Sequence, residues 1–244
     1  MSRPHRHRAY SRRAFLGRAA AAAAVPAAVA VGAKVISDSS SAAGAQSRRQ
    51  YRAGSALAHR AVAENELPGD RHWWITRLGA PDAIMGYADR ASVLPGEPVR
   101  LHVSTTSREF RVRAFRMGWY RGDLARKVWQ SGPVRGHRQR RAGMAQATRT
   151  VHTDWGASLT LPTDGWPAGS YLLRLDGHSG AQRFVPLTVR SASAAGKVVI
   201  KNGASTWQAY NTWGGYDLYL GRSGQYQDRS YVVSLDRPYD HEGA

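Results

Sequence analysis

Short alternating runs set between turn signals restrict this chain more than any other feature of it. Pro98–Ser104 puts Val99, Leu101 and Val103 on one face and Arg100, His102 and Ser104 on the other. Phe110–Met117 repeats the pattern, with Phe110, Val112 and Ala114 against Arg111 and Arg113. Ser158–Leu161, Ser170–Asp176 and Gln182–Val189 are further β-rich runs. Turn sequences separate them: Pro95-Gly96-Glu97, Pro162-Thr163-Asp164-Gly165 and Asp176-Gly177-His178. A period of two sends successive side chains to opposite faces, so each run buries one face and wets the other. Several such strands at short spacing predict an Ig-like antiparallel β-sandwich over residues 80–190. The chain has no cysteine, which removes disulfide scaffolds, Cys-ligated zinc, iron–sulfur clusters and thiol nucleophiles.

The flanks have a different texture. Ser37–Arg52 is a small, polar linker, and Ser55–Glu66 has helix-forming composition that stops at the breaker Leu67-Pro68-Gly69-Asp70. Residues 46–79 are therefore expected as a helical or irregular lead-in. Beyond the sandwich, the small-residue joint 191–196 precedes Lys197-Val198-Val199-Ile200-Lys201, which has no alternation. A continuous β-branched run predicts a strand buried on both faces, the opening strand of an α/β domain. The Gly- and Tyr-rich sequence after it holds no second run of that quality. The expected fold class is thus mainly β, a sandwich followed by the truncated start of an α/β domain over 196–244.

A formal charge of +18 invites a nucleic-acid partner, but the charge is localised. Residues 1–52 hold ten basic groups against Asp38, and residues 108–149 hold twelve against Glu109 and Asp123. The first block has the anatomy of an export peptide: a cationic start, Ser11-Arg12-Arg13-Ala14-Phe15-Leu16, then the Ala-rich apolar run 19–33. The pair Arg12-Arg13 before Phe15-Leu16 resembles a twin-arginine (Tat) motif, with cleavage expected after Ala33 or Ala45. That makes residues 1–45 a signal peptide with linker, the Tat translocase a partner, and an exported, secreted or cell-envelope protein the outcome. The second block has two readings, a solvated strand face with a loop tip at 137–141 or a patch for anionic cell wall. It lacks the aromatic interleaving that stacks bases, so nucleic acid is not an expected partner.

The densest cluster of chemistry is Thr206-Trp207-Gln208-Ala209-Tyr210-Asn211-Thr212-Trp213-Gly214-Gly215, followed by Ser234-Leu235-Asp236-Arg237-Pro238-Tyr239. Together with Gly69-Asp70-Arg71-His72-Trp73-Trp74-Ile75 and Arg116-Met117-Gly118-Trp119-Tyr120-Arg121-Gly122, it resembles the large (β) subunit of N,N-dimethylformamidase and its relatives over residues 64–244. The resemblance implies an amidohydrolase that splits a small N-substituted formamide into amine and formate. It also implies a mononuclear iron held by two tyrosines and a glutamate, and a small partner subunit or homo-oligomer. By motif position the tyrosine donors are Tyr210 and Tyr239; phenolate and carboxylate are hard donors suited to Fe(III), which acidifies a bound water. The glutamate is expected in a later His-Asp-Glu stretch that is not in this sequence, and Glu242 stands too near Tyr239 to replace it. The chain as it stands is therefore expected to bind no iron and to turn nothing over.

Plainer readings stand beside these. Trp207, Tyr210 and Trp213 suit packing aromatics under a Gly-rich loop, and Asp236-Arg237 suits an ion pair closing a turn rather than an active-site clamp. Asn211 belongs to the same motif, with a structural or a site role. Trp119 and Tyr120 suit core aromatics or a sugar-stacking platform. The competing function is a secreted, non-enzymatic sandwich that contacts wall polyanions or glycans. His72, His102, His152 and His178 lack metal-ligand spacing.

Overall fold

The computed structural model describes residues 61–195 and 197–240. The Tat motif Arg12-Arg13, both expected cleavage sites and Glu242 lie outside the described residues.

Among the described residues eleven strands form three antiparallel-dominated sheets: β1 (Ile84–Ala88), β2 (Ser92–Val93), β3 (Val99–Thr105), β4 (Glu109–Met117), β5 (Ala125–Gln130), β6 (Val134–Arg135), β7 (Gly143–Ala145), β8 (Thr150–His152), β9 (Leu159–Leu161), β10 (Gly169–Gly177) and β11 (Gln182–Val189). One sheet has the order β1-β3-β9; the larger has β2-β11-β10-β4-β5, with β6 also on β4; β7 and β8 form a hairpin. The alternation selects the inner faces. Val99, Leu101 and Val103 of β3 meet Phe110, Val112 and Ala114 of β4 and Leu173, Leu175, Val185 and Leu187 of the larger sheet in one buried layer. Fully burying each such side chain contributes about 1.5–3 kcal/mol. The sandwich is mainly β, as expected.

The outer face of the larger sheet has a smaller second core. Phe115, Ala125 and Phe184 are covered there by Trp73 of the lead-in. Alternation along β4 buries Ala114 and Phe115 on opposite faces, and the register shift beside them leaves Val128 of β5 unpaired. Arg174 is the clamp: its guanidinium donates to the carbonyls of His72 and Trp74 (2.9 Å to the latter), pairs with Asp176 at 2.9 Å and lies over the Phe115 ring. A helical turn at 61–65 precedes the breaker, where the Asp70 carboxylate accepts the His72 N–H at 2.9 Å.

The run Lys197–Lys201 corrects the expectation. It forms no strand, and Val198, Val199 and Ile200 are exposed, Val198 by 90%. A doubly buried strand needs a neighbour on each edge and a layer on each face, and the described residues supply neither. The chain instead continues into a six-residue helix, α1 (Ala204–Ala209), and then into turns up to residue 240.

Candidate functional site

The two motifs of the Gly- and Tyr-rich segment meet in one buried polar knot. Arg237 is fully buried. Its Nε donates to Gln208 Oε1 at 3.1 Å and its Nη2 to the Gln208 carbonyl at 2.9 Å. Its Nη1 donates to the carbonyls of Trp213 at 3.2 Å and Tyr216 at 2.9 Å. Asn211, also buried, donates to Gln208 Oε1 at 2.9 Å and the Pro238 carbonyl at 2.8 Å, and accepts the N–H groups of Trp213 and Asp240 at 3.1 and 3.0 Å. Both donors and both acceptors of that carboxamide are thereby used. Burial pushes the Arg237 guanidinium down to about 10, opposed by the charge of Asp217, so it remains a cation near neutrality.

This arrangement overturns the ion-pair reading of Asp236-Arg237. Among the described residues no ion pair joins the two; the Asp236 carbonyl instead accepts the Thr153 N–H and hydroxyl, each at 2.9 Å. The β7–β8 hairpin anchors the segment from outside in the same way. The Tyr231 N–H donates to the Thr148 carbonyl at 2.9 Å, the Thr150 hydroxyl to the Val232 carbonyl at 3.0 Å, and Arg149 Nη1 to the Gln227 carbonyl at 2.9 Å. Gly214 lies against Val151 with φ of 84°, where a Cβ would come within 2.6 Å of a valine methyl, so glycine is required there.

Above the knot opens a cleft of about 310 Å³ against the larger sheet. Leu172, Leu187, Tyr87, Trp207, Gln208 and Tyr239 are among the residues that line it. The sheet leaves room because β2 pairs with β11 only at Thr188 and Val189. Pro186, which cannot donate to a ladder, sits in the stretch of β11 that β2 does not reach. Asn202 fixes the entry of the segment, donating to the Ser170 hydroxyl at 2.9 Å and the Thr188 hydroxyl at 2.7 Å.

The expected site residues divide. Trp207 and Tyr239 line the cleft, and Asn211 and Arg237 build its floor from below. Tyr210 is 59% exposed and is not part of the cleft lining; its ring stacks on Tyr219 at 4.3 Å. Burial holds the Tyr239 phenol above its ordinary value, opposed by a hydrogen bond from Gln208 and the charge of Arg237. Iron ligation needs phenolates, and only one of the two expected donors is in the cleft. Among the described residues no group of three or more His, Asp and Glu could hold a metal ion. Tyr210 and Tyr239 do not line one cleft together. Gln208 is a site residue that motif reading passes over, although its spacing of three from Asn211 on a helical turn places the two carboxamides together. Trp119 is exposed, whereas Tyr120 is fully buried, so the two neighbours expected to act alike do not.

Half of the basic residues of the second block are paired by the fold. Arg113, Arg116, Arg121, Arg126, Arg138 and Arg140 pair with Asp176, Glu64, Glu66, Glu64, Asp82 and Asp154 respectively. Every one of these acids lies outside 108–149 in sequence, so a charge count along the chain misses them all.

A family model described as N,N-dimethylformamidase beta subunit-like, C-terminal, matches residues 111–244. The match includes strands β5 to β11, most of β4 and the whole knot. No curated protein matches the chain. A solved structure of a Paenibacillus sp. cycloisomaltooligosaccharide glucanotransferase complexed with cycloisomaltoheptaose is similar over 44% of this chain, at 14% identity and a TM-score of 0.27. This chain spans only 14% of that protein's length, and so low a likeness carries no argument.

Proposed function

The chain belongs to the N,N-dimethylformamidase beta subunit-like family, and from that premise we propose that it is part of an exported hydrolase of small N-substituted amides, with the cleft above Arg237 as its amide-binding site. The observation that carries this reading is the cleft itself, apolar along Leu172, Pro186 and Trp207 with Tyr239 and Gln208 among its polar groups. About 310 Å³ lies at the small end of the range for ligand pockets, ample room for a small N-substituted amide. Gln208 hydrogen-bonds the Tyr239 phenol, and burial keeps that phenol protonated. Its O–H is then the donor for the amide carbonyl oxygen, while N-alkyl groups pack on the apolar wall. Residues from 196 onward form, in this reading, the start of the catalytic domain. No step is assigned to iron.

The experiment is to incubate the purified protein with N,N-dimethylformamide and N-methylformamide and to quantify free amine and formate. Amine release, or saturable binding of either amide, that falls in Tyr239→Phe supports the reading; neither release nor saturable binding overturns the cleft as an amide site. Export by the twin-arginine route is proposed from Arg12-Arg13. Replacing both with Lys should retain the protein in the cytoplasm, and unchanged export would contradict it.

A further inference from the structure

A second, open cleft lies between the lead-in breaker and β5, and it is built quite differently. It has a volume of about 460 Å³ and is lined by Asp70, Arg71, His72, Asp123, Arg126 and Lys127 together with Pro68 and Gly69. Two exposed indoles stand outside the cleft lining, each connected to its residue Asp123 through a neighbour. Trp74, 48% exposed, stacks on Trp73 at 3.8 Å, and Trp73 Nε1 donates to the Asp123 carbonyl at 3.0 Å. Trp119, 63% exposed, starts the tight loop that contains Asp123, its carbonyl accepting the N–H groups of Gly122 at 2.8 Å and Leu124 at 3.2 Å.

That loop is held against its own preference. Tyr120, Arg121 and Leu124 have φ of 42°, 56° and 69°, and they are three of the four non-glycine residues with positive φ among those described. Such conformations persist where the surroundings over-determine them, and they cluster at ligand sites. Here the surroundings are a buried knot: the Tyr120 hydroxyl donates to Glu64 at 2.8 Å and accepts from Arg116 at 2.7 Å. Glu64 also accepts from Arg126 at 2.7 Å, and the Trp119 N–H donates to Asn65 at 2.9 Å. A large apolar ring is thus presented to solvent on a rigid, strained support.

We propose that this cleft and the two indoles outside it bind an anionic polysaccharide, with Trp119 and Trp74 as platforms for sugar rings. The chemistry selects this class over a protein partner, because protein–protein interfaces deplete charge at their centre and this centre is charged. Asp70 and Asp123 offer acceptors to hydroxyl groups. Arg71 and Arg126 are engaged with Asp123 and Glu64 at 2.8 and 2.7 Å, whereas Lys127 has no ion pair among the described residues. Lys127, with His72 beside it in the lining, is left to meet a ligand carboxylate. The proposal is independent of amide hydrolysis and replaces a diffuse basic face with one localised site.

Affinity electrophoresis of the whole protein in gels containing polygalacturonate, neutral dextran or inorganic polyphosphate tests it. Polygalacturonate should retard the protein saturably, with about tenfold weaker binding in Trp119→Ala and in Lys127→Ala. Dextran should bind more weakly and respond to Trp119→Ala alone; polyphosphate should respond to Lys127→Ala alone. Both side chains are exposed, and a circular dichroism melt confirms that the variants fold; Trp74→Ala gives an independent reading of the platform. Binding of polygalacturonate unchanged by Trp119→Ala and Trp74→Ala overturns the platform and leaves charge only. No retardation overturns the site, as does self-association that Trp119→Ala abolishes, which would make the indole a protein contact.

Discussion

In the sandwich, Ile84, Leu101, Leu173 and Leu187 keep water from between two sheets, whereas in residues 204–240 that role falls to a guanidinium and two carboxamides. Both interiors are buried, but they specify structure by different physics. Apolar burial is non-directional and tolerates repacking, so alternation alone is enough to set the sheets. A buried polar network is directional: Arg237 holds two chain segments because each N–H must find an acceptor, and leaving one unmet costs about 1–3 kcal/mol. The first interior gives a platform, the second a fixed cleft floor built on it.

The largest expected effect lies in the sandwich. Leu173→Ala removes a fully buried side chain shared by the strands of the larger sheet and should cost about 2–5 kcal/mol of global stability in urea unfolding. Arg237→Ala should cost about 3 kcal/mol, but locally. Hydrogen exchange should accelerate across 204–240 while β10 and β11 keep their protection. Equal acceleration in those strands would show that the two interiors are one cooperative unit and would break the comparison. Tyr120→Phe leaves the ring in place but removes its bonds to Glu64 and Arg116, costing about 1 kcal/mol and loosening 119–124.

The smallest effect is a pH slope. Burial raises the Tyr171 phenol well above its ordinary 10.0, and Tyr87 and Tyr120 shift the same way, chiefly by burial. Above pH 10 the unfolded chain loses these protons first, so it binds fewer than the folded chain and stability falls as pH rises. Tyr171→Phe should flatten that alkaline fall in urea midpoints and leave the slope below pH 10 unchanged.

The same contrast explains how much of the molecule is legible in its sequence. Val99, Leu101 and Val103 alternate, and β3 is where alternation puts it; Gln182–Val189 is a strand over its whole expected length. Ala125–Gln130 escapes the pattern because Arg126 and Lys127 interrupt its apolar residues, and Arg126 is held by Glu64, far away in sequence. Val198–Ile200 has the composition of a core strand, but strand formation depends on neighbours that composition does not carry. Trp207, Asn211, Arg237 and Tyr239 stand out by motif, yet their division into cleft wall and floor rests on hydrogen bonds spanning more than twenty residues. Asp236 and Arg237 are adjacent in sequence, and adjacency suggests a pair that the folded chain does not make.

The most direct measurement is an amide-proton and indole NMR titration with N-methylformamide, comparing the parent protein with Arg237→Ala. A cleft whose floor is set by Arg237 predicts saturable shifts confined to Trp207, Gln208, Leu172 and Tyr239, and their loss in Arg237→Ala while the sandwich spectrum is retained. Shifts that do not saturate, or that persist when the floor is removed, would contradict it.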